Sequence, residues 1–313
     1  MKRGAAIVAL LVLLLVAGCG AYYLARNPER STLDDAARAA APGKFARLSG
    51  GVTHYEVSGP DSGRVVVLVH GFSVPYYIWD STAVALARAG YRVLRYDEYG
   101  RGWSDRPNVD YTADVYDRQL SELLDSLGIV DRIDLAGVSM GGWVTATFTR
   151  RHARRVRSLT LVDPVAGTSA SSPSMFNYPI LGQALWQSLA VPKMADGQSG
   201  DFVEPSRFPG WADRYRVQTR FRGFGRALLS TRRAIAGMTT DTLYAAVAAT
   251  GVPVLLVWGM KDATVPFERN AGVRAVIPAA EFHAIEGAGH LPILEKAALT
   301  DSLILSFLAR QPR

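Results

Sequence analysis

A single cysteine, Cys19, stands in a chain of 313 residues, so no intrachain disulfide can form, even in an oxidising compartment. Histidine is nearly as scarce, with five in all. No Cys or His cluster suggests metal-ligand spacing, which argues against a bound metal. The chain carries no internal repeat. What is abundant is apolar: 49% of residues are hydrophobic against 20% charged, enough for one large domain with an insertion.

The apolar residues fall in short runs separated by helix-compatible stretches. Val65-Val66-Val67-Leu68-Val69 is apolar at every position, as a strand buried on both faces is. Helical stretches are expected over residues 80–89, 113–127, 142–151, 267–276 and 293–309. This alternation predicts an α/β fold with a doubly wound, mostly parallel sheet. Tyr55, Val57 and their neighbours are expected in early antiparallel strands at one edge. The rhythm stops after Asp163 and resumes near Val252, across an insertion rich in Pro, Gly, Ser and aromatics.

Gly137-Val138-Ser139-Met140-Gly141 follows the strand-like run 132–136 and precedes a helical run. In that context G-x-S-x-G is a nucleophile elbow, a turn so tight that the residues two places either side of the serine must be small. A serine hydroxyl is a weak nucleophile alone and needs a base, which needs an orienting acid. Asp262 lies just past the apolar run Val252–Val257, and His290 follows the strand-like run 281–285. Asp163 ends another strand and is the rival acid, less favoured because it precedes the position expected between Ser139 and His290.

These motifs, with His70-Gly71-Phe72-Ser73, Asp97-Glu98-Tyr99-Gly100-Arg101-Gly102-Trp103-Ser104 and Gly259–Pro266 in register, resemble the α/β-hydrolase family from about Phe45 to the C-terminus. The resemblance implies an eight-stranded α/β-hydrolase fold with a helical cap: core 45–163 and 247–313, cap 164–246. It implies Ser139 as nucleophile, His290 as general base and then general acid, and Asp262 as its orienter. The oxyanion hole would be the backbone N–H groups of Met140 and, by family analogy, Phe72. His70 would brace the oxyanion loop. Tyr76, Tyr77 and Trp143 lie beside these motifs and are expected to bind substrate, while Phe176, Tyr178, Leu181, Trp186 and Leu189 either face the site from the cap or form the cap's own core.

The reading is a serine hydrolase of carboxylic esters, acting on a small-molecule ester that includes lipid esters, with no cofactor and no metal. Alternatives within the fold are a monoacylglycerol-type lipase and a carbon–carbon bond hydrolase with the same triad. A ligand-binding receptor on this scaffold is the alternative of a different class. Oligomeric state is not legible.

Lys2 and Arg3 precede an apolar stretch from Ala5 to Leu24. It reads as a signal peptide in which Val16-Ala17-Gly18-Cys19 resembles a bacterial lipobox, so that Cys19 is lipidated, or as an uncleaved single-pass anchor with Tyr22 and Tyr23 at the interface. Residues 1–24 are thus signal or anchor, and 25–44 a tether or short helix. On either reading the domain faces outward from the cytoplasm. The net charge of +7 concentrates between Arg207 and Arg233, where aromatics interleave the arginines. A membrane-tethered hydrolase disfavours nucleic acid as the partner, and anionic headgroups or plain solvent remain for this segment.

Overall fold

The computed structural model describes residues 2–167, 174–236 and 238–312. Eight strands form one sheet: β1 (Lys44–Leu48), β2 (Gly51–Ser58), β3 (Val65–Val69), β4 (Arg92–Tyr96), β5 (Ile133–Val138), β6 (Val156–Val162), β7 (Val254–Gly259) and β8 (Glu281–Ile285). Their order is β1-β2-β4-β3-β5-β6-β7-β8. β1 and β2 pair antiparallel, as do β2 and β4, and the other neighbours are parallel. The early strands around Tyr55 and Val57 do form the antiparallel edge.

Side chains alternate across a strand, and β3 shows the consequence. Val65, Val67 and Val69 enter one core, with Leu120, Val144 and Val273 from the helices Ala113–Ser126, Met140–Arg151 and Asn270–Val276. Val66 and Leu68 enter the other, with Leu86 of Asp80–Arg88 and Ile304 of Ala297–Ala309. Both faces are covered, so a strand of five consecutive apolar residues has no wet side to satisfy. The helical stretch expected over 293–309 is broken instead at Lys296, whose φ of −129° and ψ of 42° leave the helical region. Glu295, just before the break, is buried.

Between β6 and β7 the described residues form short helices, among them Pro179–Leu185, Trp211–Thr219, Phe224–Ile235 and Thr240–Ala248. The N-terminal helix runs unbroken from Lys2 to Arg26. From Gly4 onward it is long and apolar enough to cross a membrane, and it is not buried by the rest of the chain. Residues 27–31 then lie against the insertion. Gln187 donates to Asn27 Oδ1 (2.8 Å), Glu29 accepts from the N–H groups of Gly223 (2.7 Å) and Gly225 (2.6 Å), and Ser31 forms a β-bridge with Phe221.

Candidate active site

Ser139 stands where β5 meets the helix Met140–Arg151, at φ 55° and ψ −118°. A positive φ is costly for a residue with a Cβ, and the surroundings enforce it. Ser139 N–H donates to Val162 O at 2.9 Å, while Ser139 O accepts from Gly142 N (3.0 Å) and Val165 N (3.1 Å). The flanking glycines have no alternative. A Cβ on Gly137 would come within 2.2 Å of Gly141 O, and one on Gly141 within 2.4 Å of Val69 O. Any side chain there would push the turn off the sheet.

His290 and Asp262 meet although 28 positions apart: His290 Nδ1 lies 2.8 Å from Asp262 Oδ2. The carboxylate is fixed by its own loop, since Asp262 Oδ1 accepts from Thr264 N and Val265 N, each at 2.8 Å. The His290 loop is fixed from two sides. His290 N–H donates to Asp201 O of the insertion at 3.0 Å. Buried Glu295 accepts from Gly289 N (2.6 Å) and from Val203 N of the insertion (2.7 Å). Ser139 and His290 line one pocket of about 200 Å³.

Asp163 does not stand apart from this group. Its carboxyl, with those of Asp262 and the ring of His290, brings side-chain polar atoms within 4.8 Å of one another. Asp163 Oδ1 accepts from Gly259 N at 2.8 Å. Burial, reinforced by the neighbouring Asp262 charge, raises its pKa well above the usual carboxylic range, and its Oδ2 has no hydrogen-bond partner among the described residues.

Met140 is the first residue of its helix and Phe72 lines the pocket. Among the described residues neither backbone N–H has an acceptor, which leaves two donors available beside Ser139. The loop carrying Phe72 is braced from below. His70 Nε2 accepts from Glu98 N (2.9 Å), so its protonated Nδ1 donates to Gly71 O (2.8 Å). Burial lowers the His70 pKa to about 4, keeping the ring neutral. Arg101, fully buried, donates to Phe72 O (2.8 Å), Tyr99 O (3.0 Å) and Thr231 of the insertion (3.0 Å). Asp97 holds the same region by accepting from Tyr76 N and Trp103 N, each at 2.9 Å, and from His54 (2.8 Å). Burial alone would raise the Asp97 pKa, but the His54 charge and hydrogen bond outweigh it and hold it low.

Tyr76, Tyr77 and Trp143 lie off the pocket. Tyr76 donates to Glu56 at 3.0 Å and packs on His54. Tyr77 packs edge-on to Trp211 beneath Arg214, and Trp143 packs edge-on to Tyr116. The pocket wall is instead Phe72, Val74, Ile78 and Leu291, closed by Met194 and Gln198 of the insertion. None of Phe176, Tyr178, Leu181, Trp186 and Leu189 lines it. Trp186 is buried against Phe176, whereas Tyr178 and Leu181 are exposed. Nor is the arginine-rich stretch one free basic face: Arg214 pairs with Asp80 and Arg216 with Asp196, both at 2.6 Å, and Arg226 donates to Pro107 O (3.0 Å). Cys19 is exposed on the N-terminal helix. Sequence reasoning missed Glu295, Arg101, Met194 and Gln198, whose partners are remote in the chain.

The model of a family described as "Alpha/beta hydrolase family" matches residues 66–301. Lipase 1 of Psychrobacter immobilis is 26% identical over 255 residues, 79% of this chain and 77% of that one. Among solved structures, a thermophilic esterase from Thermogutta terrifontis superposes with a TM-score of 0.73 at 24% identity, covering 86% of this chain and 99% of its own. A membrane phospholipase A described as a bacterial virulence factor superposes at 0.70 and 23% identity, covering 99% and 98%.

Proposed function

The chain belongs to the alpha/beta hydrolase family, and we propose that within it the protein is a serine hydrolase of carboxylic esters, held at a membrane by its N-terminal helix. The observation that carries the reading is the conjunction at one pocket of a strained serine, a His290–Asp262 hydrogen bond of 2.8 Å and two unengaged N–H groups. In this proposal Ser139 Oγ attacks the ester carbonyl carbon while His290 Nε2 takes its proton. The oxyanion accepts from Met140 N–H and Phe72 N–H. As the intermediate collapses the carbon–oxygen bond breaks, and the alcohol leaves with the proton from His290. A water deprotonated by His290 then attacks the acyl carbon. The acid departs and Ser139 regains its proton. Asp262 keeps Nδ1 protonated and stabilises the imidazolium, with no need to take the proton itself. The insertion, residues 164–246, acts as a cap that narrows the pocket and excludes water.

The relationship to Lipase 1 and the apolar N-terminal helix favour esters of lipid origin. Hydrolysis of 4-nitrophenyl esters from acetyl to long acyl tests this with the full chain and its Ser139→Ala variant. A long-chain optimum supports lipid esters, and a short-chain optimum narrows the reading to a small-ester carboxylesterase. Absence of any serine-dependent ester hydrolysis overturns it in favour of carbon–carbon hydrolysis or ligand binding. Retention in membranes after alkaline carbonate tests the anchor, which by its Lys2 and Arg3 places the domain outside the cytoplasm. The mass of the mature N-terminus distinguishes an acylated Cys19 from an intact spanning helix.

A further inference from the structure

Outside the N-terminal helix, ten large apolar side chains are exposed among the described residues, and four of them fall within seven positions: Met175, Tyr178, Ile180 and Leu181. Single exposed apolar residues are ordinary, but a contiguous set marks a surface that meets something apolar. Ile180 is the most exposed of the ten, at 87%. Yet the segment is built, not loose. Arg233 donates to Phe176 O (2.5 Å) and Tyr178 O (3.3 Å). Gly182 lies so close to the preceding turn that a Cβ there would meet Phe176 O at 2.5 Å. Trp186 anchors the far end of the segment in the core.

The position of this face identifies its partner. The end of the N-terminal helix packs on the next turn, Trp186–Ala190. Tyr23 of that helix and Ile180 line the same cleft, so Ile180 stands at the depth where an apolar helix leaves hydrocarbon and tyrosines settle at the headgroups. The linker cannot swing the face away. Glu29 holds Gly223 and Gly225, and Ser31 is locked by bonds of 2.9 Å to the backbones of Arg220 and Arg222. Arg26 closes the N-terminal helix and Arg30 follows it in the linker, and cations just outside an apolar helix suit anionic headgroups. The paired arginines Arg214 and Arg216 are engaged with Asp80 and Asp196 instead.

We propose that residues 175–181 are a shallow membrane-insertion face beside the N-terminal helix, seating the cap in the boundary between headgroups and acyl chains so that the ester reaches the pocket from the bilayer. This rests on the membrane reading above, and its test is independent of turnover. In the full chain, reconstituted in phosphatidylcholine–phosphatidylglycerol vesicles, a fluorescent amino acid is placed at position 180. The control is position 130, where Val130 is 81% exposed ahead of β5, at the end of the sheet away from Ser139. Doxyl-labelled lipid is expected to quench the label at 180 and not at 130. Equal, water-like emission at the two positions overturns the proposal, whether or not the chain hydrolyses esters. Carbonate extraction reports on the anchor separately: a chain that is extracted yet quenched at 180 keeps the face and loses the anchor, and one that is extracted and unquenched loses both. A double variant, Ile180→Glu with Leu181→Glu, is expected to lower hydrolysis of a vesicle-embedded ester by roughly tenfold or more, while a soluble short-chain ester is turned over as before. Equal rates on the vesicle ester would overturn the link to substrate delivery.

Discussion

The sheet edge and the insertion hold the same pocket in opposite ways. At the sheet edge the nucleophile turn and the acid are shaped largely by near neighbours in the chain: Ser139 by a turn that tolerates only glycine at 137 and 141, and Asp262 by N–H groups two and three residues on. In the insertion the fixing partners are remote. Val203 reaches Glu295, Asp201 reaches His290 and Thr231 reaches Arg101. The edge supplies reactive geometry through local backbone constraint. The insertion supplies a wall through long-range contact, which a relative can rebuild without disturbing the edge.

The largest test of that division removes the nucleophile. Ser139→Ala is expected to lower kcat by about 10⁴-fold or more with an unchanged Tm, since it deletes one oxygen and keeps the Cβ, leaving the backbone strain as it was. Residual turnover near the parent rate would move the chemistry away from the sheet edge. The two acids sharpen the same point. Asp262→Asn is expected to lower kcat by about 10³–10⁴-fold, because an amide orients His290 in the wrong tautomer. Asp163→Asn should stay within about tenfold, since an amide oxygen still accepts from Gly259 N and no charge beside Asp262 is added. Comparable losses at both sites would make the pair a single shared acid.

How far the sequence could be read follows this division. The elbow, the acid loop and the histidine loop were legible because each is specified by residues a few positions apart, and glycine requirements and strand ends are local facts. The mostly parallel, doubly wound sheet was legible for the same reason, from five-residue apolar runs such as β3, although the order of its strands was not. Proximity in sequence failed where side-chain direction decides. Trp143 is four residues from Ser139 but turns to Tyr116, and Tyr76 and Tyr77 turn to Glu56 and Trp211, leaving Ile78 to face the pocket. Nothing local singles out Glu295 within the expected helical stretch 293–309, and only the break at Lys296 and the N–H groups of Gly289 and distant Val203 show its use.

Glu98 offers a smaller effect and a sign that can be checked. It is fully buried beneath the Phe72 loop with neither carboxylate oxygen hydrogen-bonded among the described residues. Burial raises its pKa to about 8 against the pull of Arg101. The native state therefore holds a proton that the unfolded chain releases near pH 4.5. Its contribution is fully present below pH 4.5 and is lost as pH rises through about 8. Glu98→Gln removes that loss. Relative to the parent it should gain on the order of 4 kcal/mol at pH 8 and little at pH 4.5, read from chemical denaturation at the two pH values. An equal gain at both pH values would mean that the carboxyl does not titrate in this range.

The smallest effect is expected in the insertion, where the sequence displays its charge most openly. Arg216 pairs with Asp196 at 2.6 Å, but the two side chains are 50% and 74% exposed. An ion pair that wet gains little over two hydrated ions and costs side-chain freedom, so exposed pairs contribute about 0–1 kcal/mol. Arg216→Ala should leave the denaturation midpoint and turnover nearly unchanged, and what it does change should fade with added salt. Glu295→Gln is the counterpart: a buried carboxylate of the core, on which the N–H groups of Gly289 and of Val203 in the insertion both depend. An amide can accept only through its single oxygen, so one N–H faces a donor, at a cost of about 1–3 kcal/mol. If the exposed arginine proved the costlier loss, the insertion would be held by its surface charge rather than by buried links to the histidine loop.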